Sequence, residues 1–488
     1  LNLTVAYSRV RVSTDRGLGL RSERGAVLIA LMLSTALIAI DSTILATAVP
    51  SVVRDLGEFA QFPWLFSVYL LAQAVSVPIY SKLADTIGRK PIILIGIALF
   101  LMGSVFAGFA GNMAWLIGFR VLQGLGAGAV APMSMTIIGD LYSVAERAVV
   151  QGYIASVWAI ASVVGPALGG VFSQFASWRW IFWINLPLSV LAAGGIIRNY
   201  HEKIESRRHR IDYAGAAMLT LGLTTLILAL LEGGNAWGWL SLPSLVSFLA
   251  GAVALVAFGF IERRALEPVI DLAILRRPLI LTTVLISAGV GAIMTGVTSF
   301  VPTYLENSLG VMPLVSGTAV AALTLGWPLS ASLSGRLYLR YGFRSTVVLG
   351  SGIALIAMIA LTAIGPWPNP WSVAAVSFVA GFGLGWTAAP SLISAQSSVS
   401  WNERGVVTGL NVFARSAGSA VGVALFGAIT NNLIPAGAEH NYAGIVNSFT
   451  WVFAASAAVA AMTFIAAFRM PRGAVDSAAY AAPEVDRV

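Results

Sequence analysis

Apolar runs of about twenty residues, separated by short polar stretches, recur from one end of the chain to the other. Coiled at 1.5 Å per residue, a run of that length crosses the roughly 30 Å of a bilayer's hydrocarbon. The runs lack the short apolar/polar alternation of a membrane barrel, so their amides must be satisfied within each run, as helices. The pattern predicts an all-α membrane protein with fourteen spans, at about 26–50, 63–83, 91–110, 113–138, 149–173, 178–197, 212–231, 241–261, 278–304, 313–334, 345–364, 371–394, 406–430 and 446–468. An apolar run behind Arg24 ending in Ala46-Thr47-Ala48 has some features of a cleavable signal, but its length and the interruption at Asp41 favour a retained first span.

Composition agrees with the pattern: of 488 residues, 58% are hydrophobic and only 10% charged. Charge sets the orientation. With the N-terminus inside, 25 of the 29 lysines and arginines fall in inside loops and tails, two (Arg54, Arg179) fall outside, and two (Arg120, Arg415) stand within spans. The positive-inside rule therefore predicts both termini in the cytoplasm, in the cytoplasmic (inner) membrane of the cell. The net charge of +8 is spread over many short loops, with no aromatic-studded basic groove, so no nucleic-acid partner is expected. There is no cysteine, hence no disulfide or thiol chemistry, and His201, His209 and His440 lack metal-ligand spacing.

A weak internal echo suggests two halves. "SKLADTIGRK" after the second run and "GRLYLRYGFR" after the tenth align Ser81 with Gly335, Gly88 with Gly342 and Lys90 with Arg344. The expected organisation is a tail at 1–25, a six-helix bundle at 26–197, loops with two inserted helices at 198–277, a second bundle at 278–468 and a tail at 469–488. Repeated halves around a midplane site are a common plan in secondary transporters.

Ionisable residues inside apolar runs are the candidates for chemistry, because each costs energy unless it faces a partner or water. Asp41 and Arg120 fall at similar depth on antiparallel helices. Removal from water favours a protonated acid while a guanidinium favours the carboxylate, and arginine keeps its own proton. The pair therefore reads as a proton carrier, Asp41, with an electrostatic partner, Arg120; a structural ion pair is the alternative. Glu306, just past Pro302, is a second proton or cation site if the helix continues and a loop acid if it stops. Arg415 either lines the inner cavity or packs among small residues. Tyr69, Trp158 and Trp327 are candidate aromatic walls for an apolar substrate.

Two further stretches have mechanical roles. Around Gly88, Asp85 can accept from helix-terminal amides or pair with an arginine, while Arg89 and Lys90 hold the inner surface, a clasp that would break as the halves rock. In "GPALGG", Gly165-Pro166 removes a backbone donor and Gly169-Gly170 bares the backbone, predicting a bend and a tight seam between the halves. No phosphate-binding loop is present; "GLGAG" at Gly124 and "GFGLG" at Gly381 read as packing glycines.

From about Ala26 to Arg469 the chain resembles the fourteen-span drug:proton antiporter family of the major facilitator superfamily. The resemblance rests on "DSTILATAVP" at Asp41, "SKLADTIGRK" at Ser81, "RVLQGLGAGA" at Arg120, "GYIASVWAIASVVGPALGG" at Gly152 and "SWRWIFWINLPL" at Ser177. It departs at Ala46, Ser81 and Ala161. It implies the major facilitator fold, proton coupling through the first-span acid and the fourth-span arginine, and an antiporter's fifth span. The expected activity is proton-driven export of lipophilic small molecules, with no enzymatic reaction and no cofactor beyond the proton gradient. Its partners would be the cargo, protons and lipid, and the chain is expected to be a monomer. A dedicated exporter of a lipid, siderophore or secondary metabolite is the second reading; a lipid-modifying enzyme would need a catalytic or metal cluster that the sequence lacks.

Overall fold

In the computed structural model the described residues are 20, 22, 24–142, 144–202, 212–265, 268–400, 403–434 and 442–471. Among them are fourteen helices long and apolar enough to cross a membrane. In chain order, spans 1 to 7 are Gly25–Leu56, Phe62–Ile87, Arg89–Gly108, Met113–Leu141, Val144–Phe175, Trp180–Asn199 and Tyr213–Glu232. Spans 8 to 14 are Leu242–Glu262, Pro278–Leu309, Pro313–Tyr341, Phe343–Ile364, Pro370–Ser397, Arg404–Leu433 and Tyr442–Arg469. An even count puts the start of span 1 and the end of span 14 on one face, called proximal here; the opposite face is distal.

The helices run longer than their apolar cores because prolines inside them do not end them. Spans 1, 9 and 10 continue past Pro50, Pro302 and Pro328. Neighbouring helices can absorb the lost hydrogen bond where no water competes for it.

The two halves repeat one another in their glycine contacts. A β-carbon on Gly96 of span 3 would stand 2.9 Å from the Gly126 carbonyl oxygen of span 4; one on Gly350 of span 11 would stand 2.8 Å from that of Gly383 in span 12. Gly128 faces the Ser76 hydroxyl of span 2 just as Gly385 faces the Ser330 hydroxyl of span 10. Both segments flagged in the sequence as packing glycines therefore do the same work, letting backbones approach closely. Gly88 and Gly342, the turns after spans 2 and 10, share a left-handed conformation at φ 98° and 85° that favours glycine.

Spans 1–6 and 9–14 form two six-helix halves. Span 7 lies against the join between them: Leu219, Leu223, Ile227 and Leu231 share a core with Leu71 and Val75 of span 2 and Ala420 and Ala424 of span 13. Trp64 on span 2 donates to Glu232 at its distal end, 2.9 Å. Span 8 packs on span 7 and leaves Leu245, Leu249, Val253, Val256 and Phe260 exposed, a lipid-facing side.

The halves meet distally. Ser67 donates to the Ala420 carbonyl (3.1 Å), Asn431 to that of Ala60 (2.9 Å) and Thr324 to that of Ser162 (2.8 Å). Every residue from Thr43 to Val52 and from Gly296 to Glu306 is buried. Nearer the proximal face, span 5 turns exposed: Ala155 and Trp158 lie on the same side as the buried Ala161, Ser162 and Pro166. The central space is thus closed distally and open proximally.

Candidate functional site

Asp41 lies sixteen residues along span 1 from Gly25, and Arg120 seven along span 4 from Met113. At 1.5 Å per residue that is about 24 Å above the proximal end of one helix and about 10 Å below the distal end of the other. Both residues are 1% exposed. Arg120 Nη1 donates to Asp41 Oδ2 and to Gln123 Oε1, each at 2.8 Å, and Nε donates to the Leu65 carbonyl at 3.1 Å. Gln123 Nε2 donates to Asp41 Oδ1 at 3.2 Å and to Ser104 Oγ at 2.7 Å. Asn185 adds bonds to the same two oxygens, 3.4 and 3.2 Å.

Spans 1, 2, 3, 4 and 6 therefore converge on one carboxylate and one guanidinium. Two charges taken from water are tolerated when they pair and gain further hydrogen bonds, as both do here, although Asn185 Oδ1 beside them has no partner among the described residues. The Tyr69 ring covers the guanidinium, 4.1 Å from its carbon to the ring centroid. Tyr69 is only 3% exposed, so it roofs the ion pair and does not line an open cavity, a correction to the sequence reading. Ser377 occupies the place of Arg120 in the second half by the glycine register of spans 4 and 12. The charged pair thus belongs to the first half alone.

Glu306 is held apart from that pair. Span 9 runs on to Leu309, so Glu306 is helical and 7% exposed, and the loop-acid alternative is excluded. Ser316 of span 10 donates to its Oε1 at 2.6 Å, and Oε2 has no partner among the described residues.

The remaining candidates divide. Trp158 is 42% exposed and projects between the face of span 5 that meets span 1 and the face that meets span 10, toward the central space. Trp327 is half-buried against the core of the second half. Arg415 is exposed although it lies eleven residues into span 13.

The Arg89 and Lys90 part of the loop motif is held by a residue from beyond it. The Asp85 side chain lies outside the described residues. Glu202, which the sequence reading did not single out, caps span 3: its carboxylate accepts from the amides of Arg89 (2.9 Å) and Lys90 (3.0 Å). A carboxylate is favoured at a helix N-terminus by the unsatisfied amides there. Arg89 Nε pairs with Asp140 of span 4 at 3.2 Å, and Lys90 Nζ donates to the Ile197 and Tyr200 carbonyls. These bonds tie spans 3, 4 and 6 within the first half. Arg147, expected beside Asp140, has a side chain outside the described residues.

In span 5 the glycines serve two seams. Gly165 and Gly169 face the hydroxyls of Thr43 and Thr47 on span 1, and a β-carbon on Gly170 would stand 2.8 Å from the Leu314 α-carbon of span 10. Thr47 donates to the Pro166 carbonyl at 3.3 Å. Gly170 joins one half to the other, as does the Pro166 carbonyl, which a β-carbon on Gly317 of span 10 would approach to 3.1 Å.

Two repeated six-helix halves around a space closed on one face, with a buried acid–arginine pair, define a polytopic membrane transporter. The chain belongs to the Major Facilitator Superfamily, whose family model matches residues 31–423. It is 31% identical over 86% of its length, and 82% of the relative's, to Multidrug resistance protein 3 of Bacillus subtilis. It is 32% identical to Multidrug transporter protein MdtP of the same organism (85% of this chain, 76% of the relative). Efflux pump FUS6 of Gibberella moniliformis is 31% identical (84% and 74%). Among solved structures, a peptide transporter POT crystallised with sulfate superposes with a TM-score of 0.68 at 16% identity, covering 93% of this chain and 97% of that one. A D-xylose–proton symporter gives 0.64 at 13% identity (92% and 98%). The chain is a transporter and not an enzyme.

Proposed function

We propose that the chain exports amphipathic small molecules across the cytoplasmic membrane in exchange for protons, by alternating access, as a monomer with both termini in the cytoplasm. The proximal face is then cytoplasmic and the described state is open inward. The observation that carries the reading is the Asp41–Arg120 pair, buried beneath the distal seal and bonded across five spans. Protonation of Asp41 from outside removes the negative charge that Arg120 answers. A guanidinium cannot release its own proton, so the cluster must rebuild its hydrogen bonds, and that rebuilding is transmitted to spans 1 and 4. Cargo arriving from the cytoplasm favours the deprotonated, re-paired state, and the proton leaves inward. Glu306 is a second acid in the other half, positioned to load with Asp41. No cofactor takes part.

The relatives named for multidrug resistance and efflux support export as the direction and drug-like molecules as the cargo class. Everted vesicles with an imposed pH gradient test the reading. Wild-type protein is expected to accumulate a lipophilic dye only when the lumen is acidic, with lumenal protons released as dye enters. Dye movement indifferent to the gradient would refute proton coupling.

A further inference from the structure

Span 13 meets span 9 through a ladder of small and polar residues spaced one turn apart. Ser287 Oγ donates to Asn411 Oδ1 at 2.7 Å, and Thr295 Oγ1 donates to Ser419 Oγ at 2.9 Å. The rung between them pairs Gly291 with Arg415, and a β-carbon on Gly291 would collide with the Arg415 carbonyl oxygen. Span 9 therefore brings backbone, and no side-chain acceptor, to the one rung that carries a charge.

The direction of the Arg415 side chain follows from the helix. At about 100° per residue, Ala424 points opposite to Arg415, with Phe413 and Ala417 flanking that opposite direction. Those three pack with span 7 on the outer flank of the join. Arg415 thus projects away from span 7, past Gly291 along the side facing span 9 (Asn411, Gly418, Ser419, Gly422) and beside the sector that runs from there to the side facing span 2 (Ala420). That sector is the central space.

Eleven residues from Arg404 places Arg415 about 16 Å along its helix, at membrane depth. It is exposed there and forms no hydrogen bond or ion pair with any described residue. A guanidinium at such depth is tolerated when it faces a water-filled cavity. The other ionisable groups at membrane depth, Asp41, Arg120 and Glu306, are all buried, and the first two neutralise one another. Across the space, the half-exposed Trp158 indole gives the first half's wall an apolar surface.

We infer that Arg415 is the cargo-charge site of this transporter, selecting organic anions: molecules with an apolar or aromatic body and a carboxylate or sulfonate that takes the guanidinium's fork. This rests on the export reading and names its substrate class. A planar fork of donors matches a carboxylate in two parallel bonds, and a dehydrated cavity strengthens them. The indole offers a stacking surface to the body of the same molecule.

The test uses binding to purified full-length protein without any pH gradient, so that its outcome does not depend on proton coupling, which the vesicle assay judges separately. The probes are pyrenebutyrate and pyrenebutanol, alike except for the carboxylate, followed by fluorescence anisotropy. Wild-type protein is expected to bind the acid more tightly, and Arg415→Gln to weaken the acid by about tenfold or more, the scale of one charge-assisted bond, while leaving the alcohol unchanged. Arg415→Lys keeps the charge and should keep part of the preference. Equal binding of both probes by wild type, binding of neither, equal losses for both in the glutamine variant, or a lysine variant indistinguishable from glutamine would each overturn the assignment.

Discussion

Arg120 on span 4 reaches Asp41 on span 1 at 2.8 Å with both side chains shut away from solvent, so each is the other's condition for being there. Removing one partner strands a buried charge, at a cost of about 3–5 kcal/mol, whereas removing both is often neutral. Asp41→Leu should therefore unfold at markedly lower temperature in detergent, and Asp41→Leu combined with Arg120→Met should recover most of the loss. Asp41→Asn keeps an acceptor for Arg120 and should stay folded, yet fail to export under a pH gradient. Thermal melts of the set, beside vesicle transport, check both halves of the argument; full export by Asp41→Asn would remove this acid from the mechanism.

Gly170 of span 5 touches the other half, with Leu314 backbone where a side chain would begin. Gly170→Leu should pry the distal seam open and shift the population toward the outward-facing state. Because the chain has no cysteine, a reporter can be placed cleanly. Thr303, on span 9, is 1% exposed in the closed state. Thr303→Cys should react slowly with an impermeant maleimide added from the distal side, and several-fold faster when Gly170→Leu is added. Equal rates would mean that the seam is not held by this contact.

The spans were legible in the sequence because lipid leaves a chain few choices: apolar runs must be helical, and their spacing is their own evidence. Asp41 and Arg120 were legible for the same reason, as charges where charges are expensive. Their supporting shell was not. Gln123, Ser104 and Asn185 are neutral, and a neutral polar residue in an apolar run has no signature that separates a network member from a residue bonding its own helix, as Ser34 does with Ala30. Gln123, one turn after Arg120, was the available hint. Glu202 was hidden in a charged loop, where an acid gives no sign of the helix end it will reach. The fate of Glu306 hinged on whether span 9 survives Pro302, which packing decides. Tyr69 and Trp158 carried equal weight as aromatic residues within spans, yet one covers the ion pair and the other faces open space.

Glu306 offers a different separation. It sits in the half that lacks an Asp41–Arg120 counterpart, bonded only through Oε1 to Ser316. If it carries a second proton, Glu306→Gln should leave gradient-driven export in place but lower the number of protons exchanged per cargo molecule. Simultaneous recording of dye uptake and lumenal pH in vesicles reads that ratio, and an unchanged ratio would make Glu306 a structural acid.

Glu202 makes a prediction that concerns folding and not transport. Its carboxylate satisfies the amides of Arg89 and Lys90 at the start of span 3 and lies 3.5 Å from the Arg89 guanidinium. Gly88, in the cap position, has no side chain of its own to offer. Glu202→Ala should leave two helix-terminal donors to water, at a cost of about 0.5–2 kcal/mol. A loss that small, confined to one turn, is best read locally. Hydrogen exchange at the amides of 89 and 90 should accelerate by roughly the corresponding factor, about two- to thirtyfold, while amides in the middle of span 3 keep their wild-type rates. Acceleration along the whole helix would mean that Glu202 anchors the span as a unit, and no acceleration would mean that water replaces the carboxylate without penalty.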